Sequence, residues 1–257
     1  RALFRTAWST AALAAPLLLG ALLTDSDSYG RIFIAAAAVL VPIVVLLSIK
    51  RLPEGPPPEL YEIYGTLVHI AKHRDLAAVT FANLLLYLFY VWVPLYTPAY
   101  LHSVLGISWS DLGWMFSLML VPYVLIEYPA GWIADRWLGD KELMLAGFLI
   151  AGGAAMSLSL LTPTTSLTLI LILLIASRVG AALIESMVDA HFFRRISKRD
   201  INSVSVFRSV WPLSLIIGPI AGSVLLINGT YSSFFLITGG FITIAGVITT
   251  LLIKDFK

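Results

Sequence analysis

The stretch Glu127-Tyr-Pro-Ala-Gly-Trp-Ile-Ala-Asp-Arg-Trp-Leu-Gly-Asp-Lys-Glu142 decides the fold. It follows one long apolar run and precedes another, so it reads as a tight charged turn between two hydrophobic helices. Asp135, Arg136, Asp140, Lys141 and Glu142 fall within eight residues, whereas the flanking runs carry one charge, Glu127. Such turns belong at a membrane surface, where backbone and charged groups still reach water.

The rest of the chain agrees. Of 257 residues, 59% are hydrophobic and 12% charged, against roughly a quarter charged in a soluble domain. Seven Trp, ten Tyr and thirteen Phe suit aromatic belts at two interfaces. A net charge of +2, with no basic patch interleaved with aromatics, argues against a nucleic-acid partner. The absence of cysteine excludes disulfide and thiolate chemistry. His69, His73, His102 and His191 are scattered without metal-ligand spacing, so neither a metal nor a cofactor is expected. The first residue is Arg1 and no signal peptide is evident, which predicts a piece of a longer chain.

A bilayer core needs about twenty apolar residues of helix, and eight segments qualify. They are residues 7–23, 32–49, 77–101, 112–134, 143–161, 167–188, 204–227 and 234–253. Short connections such as Thr162-Pro163-Thr164-Thr165 make neighbouring spans antiparallel. The exception is 50–75, where Pro53, Pro56, Pro57 and Pro58 precede a surface helix with Leu60, Ile63, Tyr64, Leu67 and Val68 at helical spacing. Fifteen Lys and Arg fall at one set of span ends and only Arg31 at the other, with Arg178 inside a span. That asymmetry predicts a cytoplasmic basic side and both termini inside. Shifting the chain by 203 residues lays Phe4, Arg5, Trp8 and Pro16 on Phe207, Arg208, Trp211 and Pro219. Spans one and two therefore resemble spans seven and eight, with chance matching of apolar helices as the alternative. With a six-span unit, four further helices are expected upstream.

The charged turn can now be matched to a family. Gly131, Asp135 and Arg136, followed by Gly139 and Lys141, resemble the G-x-x-x-D-R-x-G-R-[RK] signature loop of the major facilitator superfamily. This copy has one extra residue after Arg136, and Asp140 where that pattern has a base. The resemblance implies an all-α, polytopic membrane protein whose eight transmembrane helices are the fifth to twelfth of a twelve-helix transporter. Residues 1–50 would then close the N-terminal bundle, 51–75 form the central cytoplasmic loop, and 76–257 form the C-terminal six-helix bundle. It also implies a cytoplasmic gating cluster of Asp135 with Arg136 or Lys141 and Asp189, latched against Arg1 to Trp8; a merely solvated turn is the alternative. Gly218-Pro219-x-x-Gly222, and Pro16 with Gly20 in the repeat, resemble the family's G-P-x-x-G-G antiporter signature and permit close helix approach and bending.

An ionised side chain within a span costs about 2.5–3.5 kcal/mol on insertion scales. Glu127, Arg178 and Glu185 lie well inside spans, and Asp189 shares a helical face with Glu185. One arginine neutralises one glutamate, leaving a surplus acid whose neutral form is favoured and which is suited to carrying a proton. A static ion pair between spans four and six is the competing reading. In span three, Thr80, Asn83, Tyr87, Tyr90, Pro94 and Thr97 share one face. They suit either a substrate cavity or a helix contact. Trp92 and Trp114 are read as cavity walls or lipid anchors.

These readings point to solute transport by alternating access, with proton-coupled efflux of a small drug-like molecule preferred. Proton-coupled uptake of a sugar, nucleoside or other metabolite is the alternative. An intramembrane lipid-modifying enzyme is remote, because no His-rich or D-D-x-x-D-like set is found. The expected partners are substrate, protons and the bilayer of the plasma (inner) membrane, for a monomer.

Overall fold

The computed structural model describes residues 2–23, 29–49, 63–196 and 201–254. Every regular element among them is helical: α1 (Ala2–Leu23), α2 (Gly30–Ile49), α3 (Ile63–Lys72), α4 (Arg74–Ser103), α5 (Trp109–Leu118), α6 (Val121–Arg136), α7 (Asp140–Ser157), α8 (Leu167–Arg195), α9 (Ile201–Ile227) and α10 (Tyr231–Leu252). Six of these are long and apolar enough to cross a membrane: α2, α4, α7 with the short 3-10 turn that follows it, α8, α9 and α10. The segment read as a single fourth span is two helices, α5 and α6, parted at residues 119–120. Pro122 falls at the start of α6, where its missing N–H leaves no intrahelical bond unmade. The surface helix predicted after the proline cluster is α3; Leu60 and the prolines lie outside the described residues.

The chain forms two compact units, residues 1–61 with 107–117, and 62–106 with 118–257. In the first, α1 and α5 meet through glycine. A Cβ on Gly20 would lie 2.9 Å from the Trp109 carbonyl oxygen, and one on Gly113 would lie 2.9 Å from that of Pro16. Tyr29 packs edge-on against Trp109 with ring centres 6.2 Å apart.

In the second unit, α7 packs on α8 and α10, α4 lies among α8, α9 and α10, and α6 packs on α8. The α7–α8 seam is also built on glycine. A Cβ on Gly147 would stand 2.8 Å from the Gly180 carbonyl oxygen, and one on Gly180 would stand 2.6 Å from that of Gly147. Small residues let two backbones approach closely and gain dispersion contacts where lipid offers no hydrophobic drive. The α4–α9 seam is held by side chain to backbone bonds instead. Asn83 donates to the Phe207 carbonyl at 3.1 Å, Trp92 to Gly218 at 2.8 Å and Tyr96 to Pro219 at 3.1 Å. Phe192 stacks on Phe207 at 3.8 Å between centres, joining α8 to α9.

Helix ends follow local chemistry. Thr230 and Ser233 form a capping box at the start of α10, which ends the Asn228-Gly229 turn. Ser166 caps α8 by accepting from the Leu169 amide. Gly139 precedes α7 with φ near 100°, a conformation that favours glycine. This is why the turn between α6 and α7 carries glycine at that place.

Gly180→Ala should destabilise the protein by about 1–3 kcal/mol, because the new methyl meets backbone that cannot retreat without parting the helices. Gly153→Ala, where nothing lies within 4 Å, should be neutral or stabilising. Thermal unfolding of the two purified variants reads the difference.

Candidate functional site

Two groups of polar side chains stand out in the second unit. One lies at the basic ends of its helices. The other lies within the membrane-crossing segments.

At the basic ends, α8 runs seven residues beyond the apolar part read from the sequence. The extension carries His191, Arg194 and Arg195 beside three carboxylates. Arg194 spans two of them, reaching Asp135 at 2.9 Å and Asp140 at 3.0 Å. His191 is buried, 3.2 Å from Asp75 and 3.6 Å from Asp140. Arg195 pairs with Asp75 and donates to the Lys254 carbonyl at 3.2 Å. The second oxygen of Asp75 accepts the Lys254 amide at 2.8 Å. Asp75 thus ties the start of α4 to the end of α8 and to the residues after α10. A cavity of about 140 Å³ lies among Asp135, Asp140, Lys141, Glu142, His191 and Arg194.

The predicted gating residues are distributed unequally over this network. Asp135 belongs to it, with its side chain 66% exposed. Arg136 lies over the Trp132 ring at 5.1 Å, and Lys141 lines the cavity. Asp189 joins a different partner, Arg208 of α9, at 3.2 Å. The five residues from Asp189 to Arg194 turn a helix by about 140°, so the two side chains leave α8 on different sides. Gly131 has open space where a Cβ would stand, and Gly139 makes the turn described above. The side chains of Arg1 to Trp8, the expected latch partner, lie outside the described residues. Asp75, Asp140, His191, Arg194 and Arg195 were missed. The available signal was a histidine and two arginines within one turn at the end of a span. Asp140, which departs from the signature, is here a buried acid bound by Arg194.

Away from the basic ends, the shorter α6 and three of the membrane-capable helices, α4, α8 and α9, bring together tyrosines, an exposed acid and a tryptophan. The Tyr90 hydroxyl donates to Glu185 Oε2 at 2.6 Å. Tyr90 meets Tyr123 of α6 at 6.1 Å between ring centres, and Tyr87 meets Trp211 of α9 at 5.1 Å. Glu185 and Trp211 are exposed and Tyr87 and Tyr90 half-buried, so these side chains line an open face of the unit. Arg178 stands two turns before Glu185 on α8 and is 2% exposed. Its guanidinium lies 5.6 Å from the centre of the Phe89 ring and within electrostatic range of Tyr123. Among the described residues, Arg178 Nε and Nη2 are buried without a hydrogen-bond partner, while the Tyr123 hydroxyl stands beside both Tyr90 and Arg178.

Of the five residues read as a substrate cavity, Tyr87 and Tyr90 reach the open face. Asn83 and Thr97 are buried, with Asn83 bonded to α9, and the Thr80 hydroxyl is enclosed. Trp92 is buried against Gly218, whereas Trp114 is exposed. The side chain of Glu127 lies outside the described residues. Gly218 and Gly222 sit where a Cβ would meet Val91 at 2.7 Å and the Tyr96 hydroxyl at 2.5 Å, so with Pro219 they form the α9 side of the α4 contact. Pro16 and Gly20 form the corresponding contact with Gly113. No group of three or more metal-binding side chains occurs among the described residues.

A sequence profile described as Major Facilitator Superfamily matches residues 79–255. Two curated proteins are similar to this chain, each described as an uncharacterized MFS-type transporter, from Mycobacterium tuberculosis strains H37Rv and CDC 1551. Both are 29% identical over 138 residues, which cover 54% of this chain and 32% of each relative.

Removing Asp140 should cost more stability than removing Asp135. Asp140→Ala leaves Arg194 and His191 facing a buried gap and should cost about 1–3 kcal/mol. The exposed Asp135 pair should be worth less than about 1 kcal/mol. Thermal unfolding of Asp140→Ala and Asp135→Ala gives the order, and salt should diminish only the smaller effect.

Proposed function

We propose, since this chain belongs to the Major Facilitator Superfamily, that it is part of a secondary transporter which moves a small organic solute by alternating access, coupled to protons. It is read as an integral membrane protein and a transporter, not an enzyme. The observation that carries proton coupling is the setting of Glu185. Its carboxylate is exposed on an open face inside a membrane-crossing helix and is held by the Tyr90 hydroxyl at 2.6 Å. A carboxylate at that depth is costly to keep ionised without water or a partner. A solute occupying the face would change both, and would thereby change whether Glu185 holds its proton. Arg178, buried two turns away on the same helix, biases that exchange electrostatically. Glu127 is the second candidate carrier.

Tyr87 and Trp211 supply flat aromatic surface for a drug-like solute. Outward movement is favoured by Pro16 and Gly20 of α1, the two positions kept from the antiporter signature on the helix where the family carries it. In this reading 1–50 ends one bundle, 51–75 links the two, and 76–257 is the second bundle of a monomer in the plasma (inner) membrane. Its basic ends face the cytoplasm. Asp135, Arg194 and Asp140 then form the cytoplasmic latch, because the network joins α6, α7 and α8 where the signature turn lies.

The test uses the full chain in lipid vesicles with a proton-sensitive dye and ethidium, followed by a panel of aromatic solutes. Glu185→Gln should reduce proton-driven flux by roughly a hundredfold, the scale of losing a positioned proton carrier. Exchange of solute between vesicles of equal pH should persist. Undiminished proton movement in both Glu185→Gln and Glu127→Gln removes proton coupling at these acids.

A further inference from the structure

The end of α3, the first turns of α4 and the last turn of α10 enclose a groove of about 380 Å³. Along α4 its wall runs from Arg74 through Ala77 to Phe81, a rise of about 10 Å from helix start to helix interior. Leu252 and Thr249 of α10 form the opposite wall. Thr249 is buried and its hydroxyl donates to the Ala245 carbonyl, so it offers the groove little polarity. Phe81 is 43% exposed and Leu252 38%, which leaves apolar surface open inside the slot.

The mouth has the opposite character. Lys72 and Arg74 are exposed and line it together. Among the described residues neither cation is paired with a carboxylate. The adjacent acid, Asp75, is already engaged by Arg195, His191 and the Lys254 amide. Among the described residues, two cations without a carboxylate partner therefore stand at the helix ends, beside a slot lined along α4 by Ala77, Ala78 and Phe81.

We propose that this groove is a binding site for an anionic phospholipid, its phosphate between Lys72 and Arg74 and one acyl chain against Phe81 and Leu252. A soluble phosphate would leave the apolar slot unexplained, and a neutral lipid would leave the cations unexplained. A lipid with a negative head matches both ends in the order they occur. Long basic side chains suit this place, since their stems cover apolar surface while their charges reach the headgroup layer. Basic residues at such a surface contribute on the scale of a fivefold gain each, so the pair should give roughly thirtyfold. This inference does not depend on the transport reading.

The experiment is native mass spectrometry of the full chain, extracted from vesicles of phosphatidylglycerol and phosphatidylcholine. Bound lipid is counted after mild delipidation, and folding is checked by helical circular dichroism. Retention of phosphatidylglycerol over phosphatidylcholine is expected. The preference should fall by roughly thirtyfold in Lys72→Gln/Arg74→Gln. It should persist in Arg136→Gln, which removes an exposed cation away from the groove. Ala77→Phe, which fills the slot and keeps both cations, should also lose the lipid. Equal retention of the two lipids overturns the site, as does an Arg136→Gln loss equal to that of the double variant. So does retention in Ala77→Phe, or displacement of the lipid by inorganic phosphate alone.

Discussion

A charged group or a free backbone amide in hydrocarbon costs several kcal/mol unless it finds a partner, and the helices are arranged around that cost. Their backbones are satisfied internally. Their charges concentrate where the helices end. Asp75 shows the consequence most clearly: its two oxygens together engage His191, Arg195 and the Lys254 amide, so one carboxylate gathers three parts of the chain. Asp140 does the same for α7 and α8 through Arg194 and His191. Each acid lies at or beside a helix N-terminus, where the dipole adds to the attraction of the cations.

Between those ends, two kinds of seam hold the second unit. The α7–α8 contact is close, made where glycines remove the side chain that would keep backbones apart. The α4–α9 contact is joined by Asn83, Trp92 and Tyr96 donating to carbonyls of α9. In lipid such bonds stabilise modestly, because helices parted in a membrane also find other partners for polar groups.

Arg178 is the exception to the arrangement. A buried guanidinium over the Phe89 ring gains from the π face, on the order of 2 kcal/mol when desolvated. Two of its nitrogens nonetheless lack an acceptor among the described residues. Groups left in this condition inside a membrane accompany function more often than packing. The neighbouring Tyr123 and the Tyr90–Glu185 bond place this guanidinium beside the face on which the proposed transport rests.

Much of the architecture is legible in the residue order. The lengths of the apolar runs, the lone charges within them and the basic bias of one set of ends are properties of consecutive residues. The 167–188 span therefore falls within α8, and the surface helix at 63–72 follows the proline cluster. The break at residues 119–120 was invisible to hydropathy, since both flanking helices are apolar and the residues between them are Met119 and Leu120. The pairings were equally hidden. Asp75 and Lys254 are 179 residues apart, Asp189 turned to Arg208 and not toward Asp135, and Asn83 closed on α9 while Tyr90 opened to Glu185. Sequence by itself determined a membrane-embedded helical chain with most of its Lys and Arg at one set of helix ends, because burial in lipid is decided by the composition of each run. Only the tertiary structure decided which charge meets which, because helix rotation and crossing are set by packing between segments far apart in the chain.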